Sequence, residues 1–323
     1  VNNDGNIIFT KKKTETIGQK SLVAITSVDI YYSMDSSTTI HRGSISAFLS
    51  GNFENEKGTI NSSVVPSYLL ASETKLYVAN ENCVIYYNKT ENGYTLSNYS
   101  ISSSTEQKLG SINKPMSLAL YGETLIVVNS TKTIQKFNAT TLEFLGKATS
   151  TIEDASNRIP ATSNAMDIYD KTLSVLSPKK IVTIDTKTNA YKSISLGQGY
   201  VADMIASGKN SVAIANKNDI DAKIRFYSLT NGNSYIESNN SNLVSCDYQN
   251  GLYYFLSTNN VGEIYVYNEN GILIKTITGF SNIITNGSLL AVDMDENINI
   301  YSTENLYRFS VNENNKAVKI NEE

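Results

Sequence analysis

The sequence predicts an all-β fold, a seven-bladed β-propeller of four-stranded antiparallel blades, and three observations carry that prediction. An apolar residue followed three positions later by an aromatic or aliphatic one recurs seven times along the chain. The pairs are Ile45/Phe48, Val84/Tyr87, Ile134/Phe137, Ile181/Ile184, Ile224/Tyr227, Ile264/Tyr267 and Leu306/Phe309. Their first residues stand 39, 50, 47, 43, 40 and 42 positions apart, in line with propeller blades of about 40–50 residues. A second strand signal precedes each pair. No window of about 11 residues keeps a helical period, so the repeats are built of strands.

Each repeat reads as four strands in hairpin order. The second-strand signals begin at Ile30, Leu76, Leu125, Leu173, Val212, Tyr253 and Ile298. They are short, rich in β-branched and aromatic residues, and bounded by Asn, Gly, Ser or Thr, as strands are. The recurring pair marks the third strand. A polar turn and a fourth strand follow, as in 268–271 (NENG) before 272–277 (ILIKTI). Asn-Gly between apolar runs favours a tight hairpin because Gly accepts the positive φ such turns demand. Only four prolines occur in the chain, so the ladders are little interrupted. The last blade completes itself with 317–320 (AVKI), which leaves the strand-like 6–10 (NIIFT) spare. That strand either seals the seam of the ring or pairs with a neighbouring molecule, and closure within the chain avoids the entropy cost of association. Residues 1–19 are therefore read as an N-terminal strand segment and 20–323 as the propeller.

With 323 residues, 40% of them hydrophobic, the chain can bury a large core. A net charge of -4 disfavours nucleic acid, which needs a basic face to displace phosphate counterions. Lys11, Lys12 and Lys13 form the one basic run and read as a solvated strand end. No stretch approaches the roughly 18 apolar residues of a membrane-spanning helix. The chain opens on Val1 with no legible signal peptide, as either a processed or a trimmed N-terminus would. Charged residues make up only 18%, while Asn, Ser, Thr and Tyr are abundant, a neutral polar surface common in secreted proteins. An extracellular or cell-surface location is the expectation. Cys83 and Cys246 fall on blades 2 and 6, too far apart for the ~4.4–6.8 Å Cα separation of a disulfide, and are read as small core residues.

One blade resembles a known repeat. The runs 181–189 (IVTIDTKTN), 193–197 (SISLG) and 210–216 (NSVAIAN) are similar to the YVTN-type propeller repeat, and 76–80 (LYVAN) matches its namesake strand. Blade 7, with 291–297 (AVDMDEN) before 298–301 (INIY), resembles an NHL repeat. The usual Pro-Asp-Gly turn is missing throughout. YVTN repeats occur in archaeal and bacterial surface-layer proteins and in lactonase-like propellers, so the resemblance implies the propeller fold and a surface-layer-like setting.

Residues that carry chemistry are sparse. The single histidine, His41, has no Gly-x-Ser-x-Gly elbow to accompany it, and one histidine cannot build a His-cluster metal site. It is read as an exposed residue of a polar insertion in blade 1. Asp167, Asp203, Asp247 and Asp293 are read as equivalent positions on the innermost strands of blades 4 to 7. Turned inward, they would line the central channel and hold a hard cation such as Ca²⁺, which takes six to eight oxygen ligands. The alternative is that each caps a turn or accepts a hydrogen bond from a neighbouring blade's backbone. No other cofactor is expected. Sequons at Asn61, Asn88, Asn98, Asn129, Asn138, Asn239 and Asn286 matter only in a glycosylating pathway. Long connections at 33–44, 101–113, 150–164 and 216–223 would crowd one face, where a partner docks. His41, Arg42, Arg158, Asp219 and Asp221 are its candidate binding residues.

These readings point to a non-catalytic, extracellular or cell-surface propeller acting in binding, adhesion or self-assembly. Its expected partner is a protein, a glycan or further copies of the chain. Two alternatives stay open, an intracellular interaction scaffold and a lactonase- or lyase-like enzyme built on a channel cation site.

Overall fold

The computed structural model describes residues 9–320 apart from 18–19, 27, 35, 45–55, 92, 103–111, 113–114, 130–133, 149–165, 177–179, 186, 189, 198, 218, 232–234, 281 and 303–304. Seven antiparallel sheets follow one another around a ring, and within each the strands neighbour one another in chain order. Blade 1 holds β1 (Phe9–Ile17), β2 (Lys20–Ile25), β3 (Asp29–Met34), β4 (Thr39–Ser44) and β5 (Glu56–Asn61). Blade 2 holds β6 (Tyr68–Ala71), β7 (Lys75–Ala79), β8 (Cys83–Thr90) and β9 (Gly93–Ser102). In blade 3 they are β10 (Pro115–Tyr121), β11 (Thr124–Asn129), β12 (Ile134–Asn138) and β13 (Phe144–Ala148). Blade 4 is β14 (Met166–Tyr169), β15 (Thr172–Leu176), β16 (Lys180–Asp185) and β17 (Tyr191–Ser195). Blade 5 is β18 (Met204–Ser207), β19 (Ser211–Ala215), β20 (Lys223–Ser228) and β21 (Tyr235–Asn239). Blade 6 is β22 (Leu243–Gln249), β23 (Leu252–Ser257), β24 (Glu263–Asn268) and β25 (Leu273–Ile277). Blade 7 closes the chain with β26 (Leu289–Val292), β27 (Ile298–Ser302), β28 (Asn305–Val311) and β29 (Ala317–Lys319).

The inner strands read as unbroken apolar runs because both of their faces are covered. Successive side chains of a strand point to opposite faces, and each blade lies between two others. In β7, Leu76 and Val78 pack with Leu22 and Ala24 of blade 1, while Tyr77 and Ala79 pack with Leu118 and Phe137 of blade 3. In β23, Tyr253 and Phe255 face blade 5, whereas Tyr254 and Leu256 face blade 7. Six such clusters fill the spaces between consecutive blades among the described residues. Each fully buried large apolar side chain contributes about 1.5–3 kcal/mol. Tyrosine rings fill these gaps, and in Tyr77 and Tyr86 the hydroxyl also finds a partner at the blade's edge. The hydroxyls of Tyr77 and Tyr86 donate to the carbonyls of Ala139 and Thr140, at 2.7 and 2.5 Å, in the β12–β13 turn of the next blade.

All seven second-strand signals lie in strands, and six of the seven third-strand pairs do. Blade 1 differs from the expectation in two ways. Its third strand is β4, so the connection from β3 spans only 35–38, and most of the predicted 33–44 loop is strand. Thr39 and Ile40 favour the extended chain, and Ile40 and Gly43 turn inward while His41 and Arg42 stay half-buried. The expected pair Ile45/Phe48 lies outside the described residues. Blade 1 is also five-stranded, because β1 pairs antiparallel with β2, Phe9 opposite Ile25, and lies beside β6. Both cysteines are free thiols, Cys246 buried and Cys83 half-buried.

Turns of a four-stranded meander alternate between its two ends. The first-to-second and third-to-fourth turns therefore share one face of the ring, the hairpin face. Second-to-third turns and blade-to-blade crossings share the other, the loop face.

Candidate functional site

Of the four channel carboxylates, only two occupy matching places. Asp167 on β14 lies opposite Ser174, and Asp247 on β22 lies opposite Tyr254, each one residue past the second-strand landmark. The corresponding places in blades 5 and 7 belong to Ala206 and Ala291. Asp203 instead precedes β18, and Asp293 sits in the β26–β27 turn. Counting back from a landmark misplaced them, since the turn before each second strand differs in length. Asp167 Oδ2 accepts the Ser207 N–H of blade 5 at 2.6 Å, and Asp247 Oδ2 accepts the Val292 N–H of blade 7 at 2.7 Å. Ser245 Oγ likewise accepts from the Leu290 N–H at 3.1 Å. These side chains tie the inner strands of blades 4 and 6 to those of blades 5 and 7. Asp293 caps its own turn, accepting from the N–H groups of Asp295 and Asn297, and pairs with Arg308 at 2.8 Å. Burial pushes the Asp203 carboxyl up, against a backbone hydrogen bond from Lys217. Among the described residues no three His, Cys, Asp or Glu side chains lie close enough together to hold a metal ion.

His41 and Arg42 stand on β4 rather than in a loop. The His41 ring stacks on Tyr32 at 4.9 Å between centroids. Arg42 reaches the hairpin face, where its guanidinium meets Asp29 at 2.8 Å. Lys89 of blade 2 and Lys57 complete the cluster, at 2.6 and 3.2 Å from the same carboxylate. The Asp29 side chain is wholly buried (0% exposed). Burial by itself would raise its pKa, but the hydrogen bonds from Arg42 and Lys89 outweigh it and hold the carboxyl below its usual range. The Arg42 guanidinium also lies 5.3 Å from the Tyr94 ring centre, and the Tyr94 hydroxyl is hydrogen-bonded to that of Tyr31. Arg42 thus clamps blade 1 to blade 2. Asp29, Lys57 and Lys89 went unread in the sequence because 28 and 60 residues separate the lysines from the aspartate. Only the ring brings them together.

Asp219 and Asp221 lie on the loop face, in the 216–222 connection between β19 and β20. The Asp221 N–H donates to Asp219 Oδ1 at 3.0 Å, a side-chain turn that fixes the loop. The Asp219 carbonyl accepts the Asn242 N–H at 2.7 Å from the crossing into blade 6. Asn242 Nδ2 in turn donates to Asn259 Oδ1 at 2.8 Å, and the Val261 carbonyl accepts the Asn282 N–H at 3.3 Å. Loops of blades 5, 6 and 7 are thereby tied into one belt. Around blades 5 and 6, the described residues Val201 (63%), Ile220 (77%) and Val261 (57%) are large apolar side chains exposed on this face. Val261 holds φ at +68°, a conformation that β-branched residues avoid. The next residue must be glycine, since Gly262 has φ +108° and a Cβ there would meet Ile284 Cδ1 at 2.5 Å. Arg158 and the crossings at 103–111 and 149–165 lie outside the described residues. The five predicted binding residues are therefore not one patch, for Asp219 and Asp221 lie on the loop face and the Arg42 guanidinium on the opposite one.

Among the sequons, Asn129 is buried, 1% exposed, and its amide donates to Gln135 Oε1 at 2.6 Å. Asn61, Asn98, Asn239 and Asn286 are exposed. Among the described residues no helix is long and apolar enough to cross a membrane.

No family model matches the chain. No curated protein matches it either. Solved structures do, and 1266 chains are alike, so the likeness selects a fold and not an activity. One is the crystal structure of BamB from Moraxella catarrhalis, similar over 87% of this chain and 78% of that one, with a TM-score of 0.56 and 12% identity. At that identity the likeness shows a shared β-propeller fold.

Proposed function

We propose that this propeller is a non-catalytic binding module, working outside the cell or on its surface, that holds a protein partner on the loop face of blades 5 and 6. The observation that carries the reading is the pair Ile220 and Val261, exposed on loops that hydrogen bonds tie together. Single exposed apolar residues need no explanation. Two on one fixed belt do, and one of them is kept in a strained backbone conformation of the kind that collects at ligand clamps. Asp219 and Asp221 flank Ile220, which favours a partner bringing basic side chains beside apolar ones. The neutral polar composition supports the extracellular setting, and the resemblance of blades 4 and 7 supports repeats of the YVTN and NHL kind.

The test is photo-cross-linking in the producing cells, with benzoylphenylalanine placed at Ile220 or, as a control, at Leu145. The control site is a comparably exposed residue (51%) on the outer strand of blade 3. A discrete protein adduct from Ile220 and none from Leu145 is expected. No adduct at Ile220, or equal adducts at both positions, would refute the reading.

A further inference from the structure

On the hairpin face, a cleft of about 390 Å³ opens between blades 5 and 6. Its apolar wall is Phe226 and Ile236, which stand directly opposite one another on β20 and β21 and so share one face of the sheet. Phe226 packs against Tyr253, Phe255 and Tyr267, which makes that face the one turned to blade 6. The polar end of the cleft is Asn210, of the β18–β19 turn, with Glu269 and Asn270, of the β24–β25 turn. Gly271 keeps the apolar wall open, for a Cβ there would stand 2.8 Å from Phe226 and 3.0 Å from Ile236.

Glu269 is the only charged residue among those lining the cleft. Its Oε1 accepts the Asn210 N–H at 2.8 Å and the Tyr248 hydroxyl at 3.1 Å, and its Oε2 accepts from Asn210 Nδ2 at 3.1 Å. These bonds hold the carboxylate in place without neutralising it. Among the described residues no lysine or arginine forms an ion pair with Glu269, and Lys223 and Arg225 of blade 5 are paired with Glu237, at 2.8 Å each. A carboxylate offers about four acceptor places, so one on Oε2 stays open. The side-chain oxygens of Asn210 and Asn270 likewise accept no hydrogen bond among the described residues.

The apolar surface continues beyond the cleft. Leu273 lies opposite Tyr267 and borders the same gap from the side of blade 6. Ile236, Ile272, Leu273 and Ile274 are all exposed along the outer strands. A free amine in the cleft would leave these side chains in water, whereas a polypeptide passing over it would cover them.

We propose that this cleft holds a lysine side chain of a partner polypeptide, one whose neighbouring residues are apolar. The four-carbon stem lies along Phe226 and Ile236, as lysine stems do on apolar surface. The ammonium carries three donors, which match the open place on Glu269 and the amide oxygens of Asn210 and Asn270. Arginine fits less well, because its planar fork takes both oxygens of a carboxylate at once and Oε1 is already filled. A phosphate or carboxylate group would be repelled by Glu269 and would meet no cation in the cleft. This surface and Ile220 lie at opposite ends of the ring, so the two binding readings stand or fall separately.

The experiment is a titration of the isotope-labelled full chain with a blocked isoleucine-lysine-isoleucine tripeptide, followed by the NMR signal of the Asn210 amide. Contrary probes are the same peptide with norleucine, which keeps the stem without the charge, the same peptide with glutamate, and n-butylamine. A saturable shift with the lysine peptide is expected, with about tenfold weaker binding of the norleucine peptide and none of the glutamate peptide. Glu269→Gln should lower the lysine peptide to the norleucine level and leave the melting midpoint in place. No saturable shift with the lysine peptide, equal binding of the lysine and norleucine peptides, or a lysine preference that survives Glu269→Gln would overturn the proposal. Tighter binding of n-butylamine than of the lysine peptide would overturn it as well, by making the ligand a free amine.

Discussion

Replacing Asp247 separates a backbone role from a cation role. The Val292 N–H is buried, and its partner is Asp247 Oδ2 at 2.7 Å. Asp247→Ala removes a charged acceptor and leaves that N–H unpaired, a loss of about 2 kcal/mol. For a domain of this size that lowers the melting midpoint by about 3 °C. Asp247→Asn keeps an acceptor oxygen in the same place and should cost less than half as much. A cation ligand would behave differently. Both variants would then lose stability alike, and Ca²⁺ would raise the midpoint of the native chain but not of either variant. Thermal unfolding followed by circular dichroism, with and without Ca²⁺, distinguishes the two. Equal losses in Ala and Asn, together with a Ca²⁺ shift confined to the native chain, would refute the account of Asp247 as a blade-to-blade tie.

Asp29→Asn leaves Arg42, Lys57 and Lys89 without their shared counter-charge and should cost about 3 kcal/mol at neutral pH in chemical denaturation. Because the folded carboxyl is held low, its stabilisation is fully present above the ordinary value of 3.8 and is lost as the pH falls through the lower folded value. Native and Asp29→Asn stabilities should therefore converge in acid below that point. Gly208→Ala should destabilise by about 1–3 kcal/mol through overpacking against Tyr253 and Tyr248, read as a lowered denaturation midpoint. Val261→Gly relieves the positive φ and should raise stability by about 1 kcal/mol while weakening the adduct formed from Ile220.

The blades were legible in the sequence because each inner strand is buried on both faces. The pairs Val84/Tyr87 and Ile264/Tyr267 and the runs at Leu76 and Tyr253 had to be apolar without interruption, and that signal repeats. Blade 1 was harder to read. Its third strand carries His41 and Arg42 at half-buried positions, so it resembles a loop in composition, and its spare strand pairs within the chain by a hairpin that no motif announces. The Asp29 cluster was invisible for another reason. It is assembled from four strands of blades 1 and 2, with the lysines 28 and 60 residues from the aspartate, and only the ring supplies that proximity. The channel aspartates failed by register. A residue's place on an inner strand depends on the length of the turn before the next strand, which sets Asp167 and Asp247 alike but moves Asp203 and Asp293 off the strand.

The most direct test of the binding account is the affinity of the protein captured at Ile220 for the native chain and for the triple variant Ile220→Ser, Asp219→Asn, Asp221→Asn, measured by titration calorimetry. The account predicts a loss of at least about tenfold, or 1.4 kcal/mol, with an unchanged melting midpoint, since these side chains lie outside the blade cores. Equal affinity for both chains would contradict it.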